Sequence, residues 1–122
     1  MRAFVPLAAL AIAFSVSAHG RTSQYASEHP FKRRLYDQIG RAWYRDVQAN
    51  SQKIALGTVR MHVTASRDGK IINLRVVSNT SNQLLAKISL AAIREATIAA
   101  VPAELLTQGK FEDEISFTIF PN

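Results

Sequence analysis

Val59, Met61, Val63 and Ala65 alternate with Thr58, Arg60, His62 and Thr64, which is the period of a strand with one apolar and one wet face. Arg67-Asp68-Gly69-Lys70 supplies a turn, because Asp68 and Gly69 tolerate the positive φ of tight hairpin connections. Ile72, Leu74 and Val76 continue the apolar face on a return strand. The period changes on either side of this hairpin. Phe31, Leu35, Ile39, Ala42, Trp43 and Val47 recur every three or four positions, so they form one stripe of a helix whose first turn Pro30 fits. Leu84, Leu85, Ile88, Ala91, Ala92 and Ala96 mark a second amphipathic helix. Thr80 and Gln83 have capping-box spacing before it, and Pro102 stops it from running far past Val101. After Gly109, Ile115, Phe117 and Ile119 alternate with Glu114, Ser116 and Thr118 in a last strand.

Helix, strand, strand, helix, strand in that order predicts an α+β domain, with both helices on one face of a three-stranded antiparallel sheet. A right-handed crossover through the second helix lays the last strand parallel to the second. The first then sits between them, in the order 2-1-3. The last strand, Phe111 to Phe120, is thereby left at an open edge with unpaired backbone groups.

The first thirty residues carry a different signal. Arg2 is a positive n-region, Ala3 to Phe14 an apolar h-region and Ser15-Val16-Ser17-Ala18 a small-residue c-region, so residues 1–18 read as a signal peptide cut after Ala18. The apolar run of about 12 residues is short of the roughly 20 that span a bilayer, and Pro6 interrupts it. Residues 19–30 are polar and aperiodic and read as a disordered lead-in to a domain at 31–122. The expected address is therefore the periplasm or the exterior.

Within the domain, the order and spacing of several short motifs resemble the TonB and TolA C-terminal domains. These are Tyr36-x-x-Ile39-x-x-x-Trp43, Gly57-Thr58-Val59, Asp68-Gly69-Lys70-Ile71, Val76-Val77-Ser78-Asn79, Leu90-Ala91-Ala92-Ile93-Arg94 and Ile115-Ser116-Phe117. The resemblance covers nearly all of 31–122. It implies a binding module that takes an envelope protein, an outer-membrane receptor or a periplasmic protein, by strand addition to its sheet edge. Two departures set this chain apart from energy-coupling members of that family. About 13 residues lie between Ala18 and the domain, a reach of at most ~45 Å, and Ala99-Ala100-Val101-Pro102-Ala103 stands where the family carries aromatic and paired proline residues.

Composition narrows the chemistry. The chain of 122 residues has no cysteine, which removes disulfides and thiolate chemistry. Its three histidines, His19, His29 and His62, are scattered, so neither a metal site nor a cofactor is expected. Glu112-Asp113-Glu114 reads as a charged guard on an edge strand rather than a catalytic pair, since alternation turns Asp113 away from its neighbours. Trp43 and Tyr36 read as core anchors, and no enzyme is predicted. The candidate partner-binding residues are those of the less charged half of the last strand: Ile115, Ser116, Phe117, Thr118, Ile119 and Phe120. The same edge would also allow pairing with a second copy.

Charge adds an alternative. From Phe31 to Arg94 there are twelve Lys or Arg against three acids, whereas Glu95 to Asn122 has one Lys against five acids. Such polarity suits a basic domain contacting anionic lipid at the membrane periphery, cell-wall polymer or an acidic partner. Nucleic acid fits less well, because the strands lack interleaved aromatics for base stacking and the leader directs export.

Overall fold

The structure, a computed structural model, describes residues 10–18, 21–23 and 29–121, with side chains over 29–119. Its elements are β1 (Leu10–Ala18), β2 (Arg21–Ser23), α1 (Pro30–Ala49), β3 (Gly57–Ser66), β4 (Ile71–Asn79), α2 (Gln83–Glu95) and β5 (Lys110–Pro121). The sheet runs β2-β1-β5-β3-β4, antiparallel throughout. Its β5-β3-β4 portion is the predicted 2-1-3 arrangement.

One core lies between this portion and the two helices. The stripe of α1, with Tyr36 added, meets Leu85, Ile88, Ala92 and Ile93 of α2. Beneath them lie Val59, Met61, Val63 and Ala65 of β3 and Phe111, Ile115, Phe117 and Ile119 of β5. Trp43, 1% exposed, is the tallest piece: its ring centre stands 5.3 Å from that of Phe117, and its Nε1 donates to Ser89 Oγ at 3.2 Å. Phe31 meets Phe111 edge-on at 5.6 Å.

Local chemistry sets the element ends, sometimes differently from the sequence expectation. The ring of His29 caps α1, its Nδ1 accepting from the Phe31 N–H at 3.0 Å. The cap of α2 is Asn82, whose Oδ1 accepts from the Leu85 N–H at 3.1 Å, rather than the predicted capping box at Thr80. Thr80 is instead bound to β3: its Oγ1 accepts from the Thr58 N–H and its own N–H donates to the Thr58 carbonyl, each at 2.9 Å. The helix ends at Glu95, several residues before Pro102, because tertiary partners claim the following backbone. Gln38 of α1 bonds both the N–H and the carbonyl of Thr97, and the Val101 N–H donates to the Arg67 carbonyl. In the β3–β4 turn only Gly69 takes positive φ, at 89°; Asp68 does not. A Cβ on Gly69 would collide with the Ile98 carbonyl, so the turn packs directly beneath the loop after α2.

The N-terminal segment contributes two strands to the sheet. Arg21–Ser23, within the lead-in, forms β2 against β1; residues 19–20 and 24–28 of the lead-in lie outside the described residues, as do 1–9 of the leader. The edge of β5 expected to be open carries β1. The physical reason for the β1–β5 pairing is that an apolar, β-prone run in the same chain meets an unpaired ladder at high effective concentration.

Candidate functional site

The last strand begins after Gly109 and pairs with β3 in ten successive positions, Ser66↔Lys110 to Gly57↔Ile119, without a register shift. Direction along this ladder follows from its start. Lys110 uses both its N–H and its carbonyl on Thr107, so they point away from β3. At the other end, Thr58, opposite Thr118, spends its backbone groups on Thr80, so this pair too exchanges no bonds across the ladder. Alternation then turns the backbone groups of Glu112, Glu114, Ser116 and Thr118 outward, and those of Phe111, Asp113, Ile115 and Phe117 inward to β3.

Side chains follow the same alternation. Ile115, Phe117 and Ile119 are fully buried beneath the helices. Ser116 and Thr118 are half-buried on the opposite face, and the side chain of Phe120 lies outside the described residues. The six predicted residues thus divide: three apolar side chains hold the strand down, while Ser116 and Thr118 hold outward backbone groups. Cross-strand contacts fix that outer face, with Thr58 Oγ1 2.9 Å from Thr118 Oγ1 and Arg60 Nη2 2.8 Å from Glu114 Oε1.

Asp113 departs from its predicted role as a charged guard. It is 4% exposed on the helix-covered face, where the Tyr36 hydroxyl donates to its carboxylate and the Lys32 ammonium stands 3.7 Å away. Its other oxygen accepts from the Glu114 N–H at 2.9 Å. A buried charge is tolerated only when so partnered, and here it ties the start of β5 to α1. The sequence signal was alternation alone, which put Asp113 on the core face without showing Tyr36 above it.

The two edges of the β5-β3-β4 portion differ. On the β5 side, β1 pairs in eight successive positions, from Leu10↔Pro121 to Ser17↔Glu114. On the other side, β4 is broken by shifts between Arg60/Met61 and Thr64/Ala65 of its β3 partner, which leave Val77 and Ile72 as extra residues in two bulges. Ile72 and Val77 are consequently 55% and 40% exposed, and Val76 38%, which corrects the expectation that Ile72 and Val76 continue a buried face. Among the described residues no three His, Asp or Glu side chains converge as a metal site would require, and no helix is long and apolar enough to cross a membrane.

No family model matches the chain, and no curated protein is similar to it in sequence. Among solved structures, it is similar to the C-terminal domain of Helicobacter pylori TonB in solution, at a TM-score of 0.51 and 18% identity, over 80% of this chain and 88% of that one. The fold is that of a TonB C-terminal domain.

Proposed function

We propose that this chain is an exported protein-interaction module that captures an extended segment of an envelope protein on the outer edge of β5. The observation that carries the reading is the contrast between the edges: β5 is an unbroken ladder on which a strand is seated over eight positions, and β4 is twice bulged. Bulges protect an edge from strand addition, whereas a regular ladder invites it. Similarity to the TonB fold supports a binding role.

The proposed cut after Ala18 coincides with the last residue of β1. Removing the leader therefore strips β1 from the sheet and vacates the outward backbone groups of Ser116 and Thr118 for a partner. Backbone bonds would supply the affinity of such docking. N-terminal sequencing of the protein from a periplasmic extract tests the first half; an intact Met1 refutes it.

Ser116→Pro and Thr118→Pro test the second half. Each removes an outward N–H while leaving the inward bonds to β3, so both variants should keep the far-UV circular dichroism of the parent. Capture of partner by in vivo cross-linking from β5 should be lost in both. Folded variants that still capture it exclude this edge. The complex should also survive physiological salt, since backbone pairing is only weakly screened; collapse of binding with salt would instead favour the anion-binding reading.

A further inference from the structure

The opposite side of the domain carries a feature that strand docking on β5 does not use. Between β4 and α2 lies a shallow open cleft of about 520 Å³, lined by Ile71, Ile72, Leu74, Ala96 and Ile98 among others, with Lys70 and Arg94 as its charged side chains. The bulge at Ile72 turns that side chain out to 55% exposure, and Val76 and Val77 extend the apolar strip along β4. Lys87 lies seven residues before Arg94, hence on the same face of α2, and is likewise exposed. Lys70, Lys87 and Arg94 have no ion-pair partner among the described residues, whereas Arg41, Arg45 and Arg60 elsewhere are each tied to a carboxylate.

We infer that this β4–α2 face docks onto an anionic lipid bilayer, with Lys70, Lys87 and Arg94 at headgroup level and Ile72, Val76 and Val77 entering the interface. Charge complementarity selects the partner's sign, since no acid lines the cleft. Shape selects its class: the bulges deny a peptide strand a continuous ladder, and the cations are spread over the β3–β4 turn and one face of α2 instead of converging on one point. A laterally continuous anionic surface satisfies both, through headgroup attraction and burial of the exposed apolar strip. Because β4 and β5 lie on opposite sides of β3, a domain seated this way keeps its β5 edge away from the bilayer.

Co-sedimentation of the full chain with phosphatidylcholine vesicles, with and without one-third phosphatidylglycerol, tests the inference. Binding should require the anionic lipid. The double variant Lys70→Glu/Arg94→Glu alters exposed side chains and should keep the parent's circular dichroism. It should lower the partition coefficient at least roughly thirtyfold, since two headgroup attractions of about 1 kcal/mol each are lost and two repelling carboxylates are added. Ile72→Ser/Val77→Ser should bind at low salt and release at physiological salt, where the parent stays bound. Equal binding to both vesicle types, no binding to either, or an undiminished double variant overturns the inference. So does binding to poly-glutamate without binding to anionic vesicles, which would assign the face to an acidic polymer. Partner capture at β5 should be unchanged in both double variants, so failure of one reading is distinguishable from failure of the other.

Discussion

Replacing Trp43 probes whether α1 is held by its stripe or by its surface charges. The indole is 1% exposed, is packed against Phe117 and donates to Ser89 Oγ, whose own hydroxyl is donated to the Leu85 carbonyl at 2.8 Å. A buried Trp removes about 200 Å² from water, which at ~25 cal/mol per Å² is near 5 kcal/mol as an upper figure. Partial collapse of the site places Trp43→Ala at about 3 to 5 kcal/mol, against a total of about 5 to 15 kcal/mol for an ordinary domain. Trp43→Phe keeps a ring over Phe117 and loses the N–H donor, at a cost of about 1 to 2 kcal/mol. Urea unfolding followed by circular dichroism reads both. With a slope of roughly 1 kcal/mol per molar, the midpoint should fall by ~3 M or more for Ala and ~1 to 2 M for Phe. Trp43 is the one tryptophan of the chain, so its fluorescence gives an independent reading of the parent. An Ala variant within ~0.5 M of the parent would refute the account, as would a Phe variant as damaging as Ala.

Asp113→Ala should cost about 3 kcal/mol by removing the carboxylate that accepts from the buried Tyr36 hydroxyl and faces Lys32; a calorimetric melting temperature lowered by less than a few degrees would contradict this. Gly69→Ala should lose more than about 2 kcal/mol, because a Cβ there combines strained φ with collision against the Ile98 carbonyl. Gly109→Ala, at φ 80° in open space, should lose only about 1 kcal/mol, and equal thermal shifts for the two would remove the packing argument. Glu104 has its carboxyl held below the usual range by the hydrogen bond from His29 Nε2, at 2.8 Å. A depressed acid contributes stability above its unfolded value near pH ~4.3 and loses it as pH falls through the lower folded value. The melting difference between the parent and Glu104→Ala should therefore be present at neutral pH and vanish in strong acid; a constant difference would show that the bond is not the cause.

Alternation and helical spacing were enough to place β3, β4, β5, α1 and α2 in the chain, and with them the 2-1-3 order. Those signals are local, and the handedness of a crossover is general to all chains. They also put Trp43 and Tyr36 in the core and Asp113 on the face opposite Glu112 and Glu114. Tertiary structure decided the rest. Whether Asp113 would guard an edge or be buried depended on Tyr36 and Lys32, some eighty residues away in sequence. His29 as a cap, and Thr80 as a tie to β3 rather than a cap, depended on which backbone groups the fold brought within reach. The bulges that expose Ile72 and Val77 belong to the register β4 takes against β3, which the pattern of β4 itself does not carry. Above all, the sequence marked Leu10–Ala18 as apolar and small, a property that a leader and a strand share. Its placement along β5 depended on an unpaired ladder that exists only once the sheet has formed.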